Sequence, residues 1–355
     1  MNNFFQNNDS KSALEAQYEA QKIAFSPIIF QVARSIRDLG ILKLLYETKE
    51  GVTISEIENK TKLSKYSIKI LLETSLSADI VKKEEDKYYI TKTGIFLLND
   101  KMTNINMNYN HYVNYLGLYD LDKALLSNKA EGLKNFGDYE TIYPALSTLP
   151  PKIKQSWFEF DHFYSDDAFP LAIKIVLKAQ PKSILDIGGN TGKFSLNIVK
   201  NSENTTVTIV DLPQQIKLAK ENIQTSPFKD KIQFIEQNVL DTTQPIPTGF
   251  DIIWMSQFLD CFDEESIIEL LTRVKKSMGT NSRLYIMEPL WDKQLYETSA
   301  YCIINTSPYF TAMANGYSKM FNYDDLEEYI QKAGLAIEKE IHNIGICILE
   351  TKTQG

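Results

Sequence analysis

Histidine and cysteine are scarce in this chain, with three of each among 355 residues. The cysteines, Cys261, Cys302 and Cys347, are scattered and odd in number, which excludes a disulfide framework and fits a reducing, cytoplasmic compartment. The histidines, His111, His162 and His342, form no pair at ligand spacing, so no metal site is expected. No uninterrupted apolar run approaches membrane-spanning length, and the Asn-rich start has no basic segment followed by an apolar one, so neither a membrane anchor nor a secretory leader is expected. Basic charge is also in deficit. A net charge of −8 and a pI near 5.2 remove any general attraction to nucleic acid or anionic membranes. The length suffices for a full core and for two domains.

What is present is organised around residues 183–194, Ser-Ile-Leu-Asp-Ile-Gly-Gly-Asn-Thr-Gly-Lys-Phe. A β-leaning run ends in Asp186, then a glycine-rich turn, and Phe194, Leu196 and Val199 follow at helical spacing. Strand, tight loop and helix in that order bring a ligand close to the backbone and to the positive end of a helix. A dinucleotide fingerprint counted from Gly188 needs glycines at 190 and 193, where this chain has Asn190 and Lys193. A nicotinamide cofactor is therefore disfavoured. Asp186 would repel a pyrophosphate but suits a ligand with an amino group, such as S-adenosylmethionine (SAM).

Residues 1–11 read as disordered, and 12–100 as a winged-helix-like dimerisation domain. A broad apolar stripe over 27–46 predicts one buried helix, Thr53 and Ser64 cap two shorter ones, and 80–91 reads as a hairpin turning at Asp86. Between 51 and 100 eight lysines meet eight acids, and the second helix offers no arginine, so DNA is not the expected partner. Residues 101–180 are rich in aromatics and read as a helical linker that also walls a substrate pocket. From 181 to the end, strands alternate with helices and a hairpin closes the pattern. The expected fold is α/β: a Rossmann-like, mainly parallel sheet with a C-terminal antiparallel hairpin, behind a mainly α winged-helix domain.

Ligands of such a sheet sit at the carboxyl ends of its strands. Asp211 ends the second strand, 23 residues after Gly188, where an acid accepts bonds from ribose hydroxyls. Leu212 follows it. Asn238 and Val239 follow the third strand, Ser256 and Gln257 end the fourth, Asp260 comes next, and Glu288 ends the fifth. Two carboxyls on adjacent strand ends can form an acid/base pair or bind polar groups of a substrate.

The order DIGGNTG (186–192), VTIVDLP (207–213), FDIIWMSQFLDCFDEES (250–266), LYIMEPL (284–290) and NGYSKMF (315–321), behind a winged-helix region, resembles the SAM-dependent O-methyltransferases of the plant caffeate and bacterial polyketide type. The resemblance implies the class I methyltransferase fold, SAM as methyl donor with S-adenosylhomocysteine (SAH) as product, and a homodimer through the N-terminal domain. It places Asp186, Gly188 and Gly192 in the cofactor loop and Asp211 on the ribose; Leu212, Val239 and Gln257, at the same strand ends, are further cofactor-binding candidates. Asn238 falls where the family has an adenine-binding Asp, and Ser256 where many members have Lys. Three positions depart further. Asp260 stands where the family has its catalytic His, Glu288 matches a flanking acid, and Met320 stands where a second Glu is expected. Asp260 is a weaker match to a phenol than an imidazole, and His162, on the aromatic helix, is the histidine placed to substitute. Phe160, Phe163, Tyr309, Phe310 and Met313 are the expected pocket lining.

The leading expectation is methyl transfer to a hydroxyl, or an activated ring carbon, of a small aromatic or polyketide-like molecule. The alternatives are a SAM-binding regulator without turnover and a SAM-dependent enzyme of different chemistry.

Overall fold

The computed structural model describes residues 4–5, 8–146, 148–343 and 345–354. The expectation of disorder over 1–11 falls partly on residues outside this set. The chain divides into two compact units, one ending at Tyr112 and the other running from Val113.

In the first unit, α1 (Ala13–Asp38) starts at a capping box in which Ser12 and Glu15 satisfy each other's backbone N–H. The stripe over 27–46 is not one helix. α1 stops before Gly40, whose φ of 83° is left-handed, and α2 (Ile41–Glu47) restarts there. Leu39 is exposed as a result, while Ala33, Ile36, Ile41, Leu42 and Leu45 enter the core. β1 (Val52–Thr53), α3 (Ile54–Thr61), α4 (Lys65–Ser77), β2 (Val81–Glu84) and β3 (Lys87–Ile90) then build a three-stranded antiparallel wing. Thr53 and Ser64 are the caps of α3 and α4. α5 (Lys92–Asn99) and α6 (Lys101–Tyr109) complete the unit. Arg37 reaches from α1 to Asn104 (2.7 Å) and Asn108 (3.2 Å), which ties α6 to this unit and divides the 101–180 segment.

The second unit opens with α7 (Leu121–Ser127), α8 (Ile142–Ala145), α9 (Pro151–Asp166) and α10 (Phe169–Lys178). Pro151 sits at the first helical position of α9, where its missing N–H costs nothing. The alternating region follows as β4 (Ser183–Ile187), α11 (Lys193–Asn201), β5 (Thr206–Asp211), α12 (Pro213–Ile223), β6 (Ile232–Glu236), β7 (Ile252–Ser256), α13 (Glu264–Ser277) and β8 (Arg283–Glu288). α14 (Glu297–Ile304), α15 (Ser307–Tyr309), α16 (Tyr323–Lys332), β9 (Leu335–Asn343) and β10 (Ile346–Thr353) end the chain.

The seven strands lie in the order β6-β5-β4-β7-β8-β10-β9, parallel from β6 to β8 and antiparallel at β10 and β9. Buried apolar clusters cover both faces of the sheet. On one of them Trp254 stacks on Phe194 at 4.3 Å and 10°. β7 is shorter than the apolar run 250–258 suggests. Gln257 takes a φ of 46° and its N–H donates to the Met287 carbonyl (2.8 Å), which bends the chain out of the strand. The order of strand connection reverses between β4 and β7, so the crevice at their carboxyl ends is the topological switch point.

Candidate active site

The first half of the site is the turn after β4. Gly188 has a φ of 76°, and a Cβ there would lie 2.2 Å from the Phe258 ring, so only glycine fits. Gly192, with a φ of 73°, heads α11, and a Cβ on it would lie 2.6 Å from Ile223. Asp186 is buried, and the Ser195 hydroxyl of α11 donates to its Oδ2. Burial raises its pKa to about 7, against the Ser195 bond, which lowers it. Asp211 clamps the turn from β5: its Oδ2 accepts the Asn190 N–H (2.9 Å) and its Oδ1 the Leu212 N–H (2.7 Å). Burial raises Asp211 to about 6, with those two bonds acting in the opposite direction.

The cradle fits an adenosyl ligand. The glycine turn leaves the backbone bare, Asp211 keeps carboxylate lone pairs at a strand end, and the buried Asn190 Oδ1 has no hydrogen-bond partner. Two neighbours are already engaged. Asn238 is exposed, and its side-chain oxygen caps its own turn by accepting the Leu240 N–H (3.0 Å). The Val239 side chain is in the core, and its carbonyl accepts from Arg273 (2.6 Å). Ser256 is half-buried at the end of β7, and Gln257 donates to the Tyr164 carbonyl of α9 (3.2 Å).

The second half sits at the ends of β7 and β8. Glu288 is buried, and its Oε1 accepts the N–H groups of Phe258 (3.0 Å) and Leu259 (2.9 Å). This holds the turn that carries Asp260, which is 5% exposed. The Glu288 Oε2 has no partner. Burial raises Asp260 to about 7, and burial followed by the Asp260 charge raises Glu288 well above the usual carboxyl range. Asn315 supports the same turn, donating to the Cys261 carbonyl (2.7 Å). The Cys261 thiol lies 3.6 Å from Asp260 Oδ1, and burial pushes it up.

The structure adds Asp161 of α9, which the sequence did not single out. Its Oδ2 accepts from Asn190 Nδ2 (3.4 Å), and burial raises its pKa to about 6, with the neighbouring His162 lowering it and Asp260 raising it. His162 is held elsewhere. It stacks on Phe158 at 6.0 Å, with Nδ1 3.8 Å from Asp166, which also pairs with Lys193. The expected lining is aromatic, with Phe160 and Phe163 both packed on Tyr164 and Tyr309 edge-on to Phe310. Tyr309 accepts from the Trp157 indole N–H (2.7 Å). Met313 is fully buried against Gly117, so that a Cβ at Gly117 would overlap its sulfur.

A mainly parallel sheet with this strand order, a glycine turn and an acid at the end of the second strand defines a class I methyltransferase. Family models agree: a Dimerisation2-like domain matches residues 17–88 and an O-methyltransferase domain residues 171–335. The chain belongs to the SAM-dependent O-methyltransferases. O-methyltransferase 7 of Dictyostelium discoideum is 24% identical over 234 residues, covering 59% of this chain and 63% of that protein, a little under two thirds of its length. Among solved structures, the SAM-dependent methyltransferase SibL in its apo form superposes with a TM-score of 0.70 at 17% identity, over 94% of this chain and 98% of that one. The O-methyltransferase NcsB1 from neocarzinostatin biosynthesis, in complex with SAM and 2-hydroxy-5-methyl naphthoic acid, does so with a TM-score of 0.61 at 17% identity, over 91% and 95%. Among the described residues no helix is long and apolar enough to cross a membrane, and no cluster of His, Cys, Asp and Glu could hold a metal ion.

Proposed function

We propose that this protein, as a homodimer, transfers the methyl group of SAM to a hydroxyl of a small aromatic or polyketide-like molecule. One observation carries the reading. A glycine turn clamped by Asp211 and a buried pair of acids, Asp260 and Glu288, lie at neighbouring strand ends on one edge of one sheet. The NcsB1 complex, with SAM and a hydroxynaphthoic acid bound on the same fold, supports the pairing of cofactor and aromatic acceptor.

SAM supplies an electrophilic methyl on a sulfonium. The chain's own residues hold it through Asp186, the 188–192 turn and Asp211, with Leu212, Val239, Ser256 and Gln257 along the same edge. Asp260 then takes the proton of the acceptor hydroxyl. A phenol near pKa ~10 is about six units above an ordinary Asp, and raising Asp260 to about 7 halves the mismatch. Glu288, whose carboxyl pKa is pushed upward by burial and the Asp260 charge, orients the same hydroxyl from the end of β8. Phe160, Phe163, Tyr309 and Phe310 exclude water and align the ring, which is the larger contribution to a displacement of this kind. His162, stacked on Phe158 and facing Asp166, takes no part in the proton transfer.

The dimer is supported by the domain match and by exposed apolar side chains along α1, namely Leu14, Tyr18, Ile23, Phe25 and Ile28. Light scattering should give twice the 40.7 kDa of one chain. For activity, the test is transfer of label from methyl-labelled SAM to a panel of hydroxylated aromatics, with SAH measured in parallel. Stoichiometric label and SAH confirm the reading. SAM consumption without label on any acceptor sinks it.

A further inference from the structure

The helix that carries the expected aromatic wall is tied to both halves of the site. On α9, Trp157, Asp161 and Tyr164 stand at i, i+4 and i+7, on one face of the helix. The Trp157 indole donates to the Tyr309 hydroxyl of α15 (2.7 Å), on the acceptor side. One turn further on, Asp161 Oδ2 accepts from Asn190 Nδ2 (3.4 Å) in the cofactor turn, and the Tyr164 carbonyl accepts from Gln257 at the end of β7 (3.2 Å). Asp166, at the end of the helix, pairs with Lys193 at the start of α11. Asn190 is the junction. Its backbone N–H donates to Asp211 (2.9 Å), its Nδ2 to Asp161, and its Oδ1 is buried without a partner. It holds a left-handed φ of 47°, a conformation that Asn tolerates better than most residues with a side chain.

We propose that Asp161 and Asn190 are a positioning pair that sets the acceptor wall from the cofactor turn. A cofactor held at Asp211 fixes Asn190, Asn190 holds α9 through Asp161, and α9 holds Tyr309 through Trp157. The inference rests on the methyltransferase reading and deepens it by naming residues that align the acceptor through α9. A methyl displacement depends on the alignment of two bound molecules, so an element shared by both halves of the site bears on it directly. Phe160 and Phe163 belong to the same helix and move with it. Of the four ties, only that of Asp161 reaches the residue that also bonds Asp211. At 3.4 Å this tie lies at the long end of the hydrogen-bond range, so it has room to shorten once a ligand fixes the turn. Because one residue serves both bonds, ordering one end lowers the cost of ordering the other.

Hydrogen exchange read by mass spectrometry, with SAH as the probe, tests this without an acceptor or turnover. At saturating SAH, exchange should slow about fivefold or more in three segments of the wild type, 186–192, 151–166 and 305–314. In Asp161→Ala, with SAH raised to restore saturation, protection of 186–192 should remain, while exchange in 151–166 and 305–314 returns to within about twofold of the SAH-free rate. Asp161→Asn keeps an oxygen that can accept from Asn190 and should restore most of the protection. Trp157→Phe keeps an aromatic ring but removes the donor, so 305–314 should lose its protection while 151–166 keeps it. An Asp161 that only stabilises the fold would raise exchange with and without SAH alike and leave the ratios as in the wild type, which overturns the proposal. Protection of 305–314 that survives Trp157→Phe overturns it as well. The wild-type pattern decides even where a variant does not fold, because protection confined to 186–192 overturns this inference alone. Failure of SAH to bind overturns the methyltransferase reading and this inference with it.

Discussion

The two halves of the site lie on one sheet edge and are built in opposite ways. In the cofactor half each acid is met by groups close along the chain or on the adjacent strand. Asp186 meets Ser195 on the next helix, and Asp211 meets the N–H groups of Asn190 and Leu212. In the acceptor half the acids come from α9, the turn after β7 and β8, and one Glu288 oxygen is left without a partner. The first half is a cradle that holds its shape through the backbone and leaves one buried oxygen, Asn190 Oδ1, without a partner. The second is assembled from elements far apart in the chain, and burial pushes its acids upward. A fold built this way can keep its cofactor geometry while the groups that face the acceptor change.

This contrast predicts different penalties. The largest is for Asp260→Asn, which should lower kcat by about 10²–10⁴-fold with SAM affinity nearly unchanged, since a general base contributes on that scale. Stopped-assay kinetics with calorimetry check it, and an unchanged kcat would return the chemistry to His162. Next is Gly188→Val, which drives a side chain into Phe258 and requires β-branched backbone at a φ of 76°; calorimetry should show SAM binding abolished. Asp211→Ala should weaken SAM by about 1.5–3 kcal/mol, roughly ten- to a hundredfold, the value of hydrogen bonds to a charged group. Normal SAM affinity in that variant would remove the ribose assignment. Ser195→Ala leaves the buried Asp186 without its donor and should cost about 1–3 kcal/mol by urea unfolding, with less effect on kcat.

A further expected effect is on pH. Asp186, Asp211 and Asp260 rise to about 7, 6 and 7 in the folded chain, above an unfolded value near ~3.9. Between those values the native state holds protons that the unfolded chain has released. The stability they contribute is full below about pH 4 and is lost as pH rises towards about 7. Without ligand, Tm should fall over that window, and Asp260→Asn should flatten the slope. Activity runs the other way, because the base must be ionised, so kcat/KM should climb through about pH 7.

The cofactor half was legible in the sequence because its parts are contiguous. The glycine turn, Asp211 at the end of β5 and the strand bounds at 206–211, 232–236 and 283–288 follow from local pattern alone. The α1/α2 break was hidden by an unbroken apolar stripe, although Gly40 carried the signal. Asp161 was not legible, because its significance lies in its approach to Asn190 and Asp260, which are 29 and 99 positions away. An acid beside His162 on an aromatic helix was the available clue. Burial of Asp260 beside Glu288 could be raised from the order of the strand ends, but not the way Glu288 pins the turn from another strand.

The most direct test of the account is calorimetric titration of the purified protein with SAM, SAH and, as control, NAD. The account predicts micromolar binding of both adenosyl ligands and none of NAD. Absence of binding by SAM and SAH would leave the fold standing and contradict the assignment of the 186–192 turn and Asp211 as a cofactor cradle.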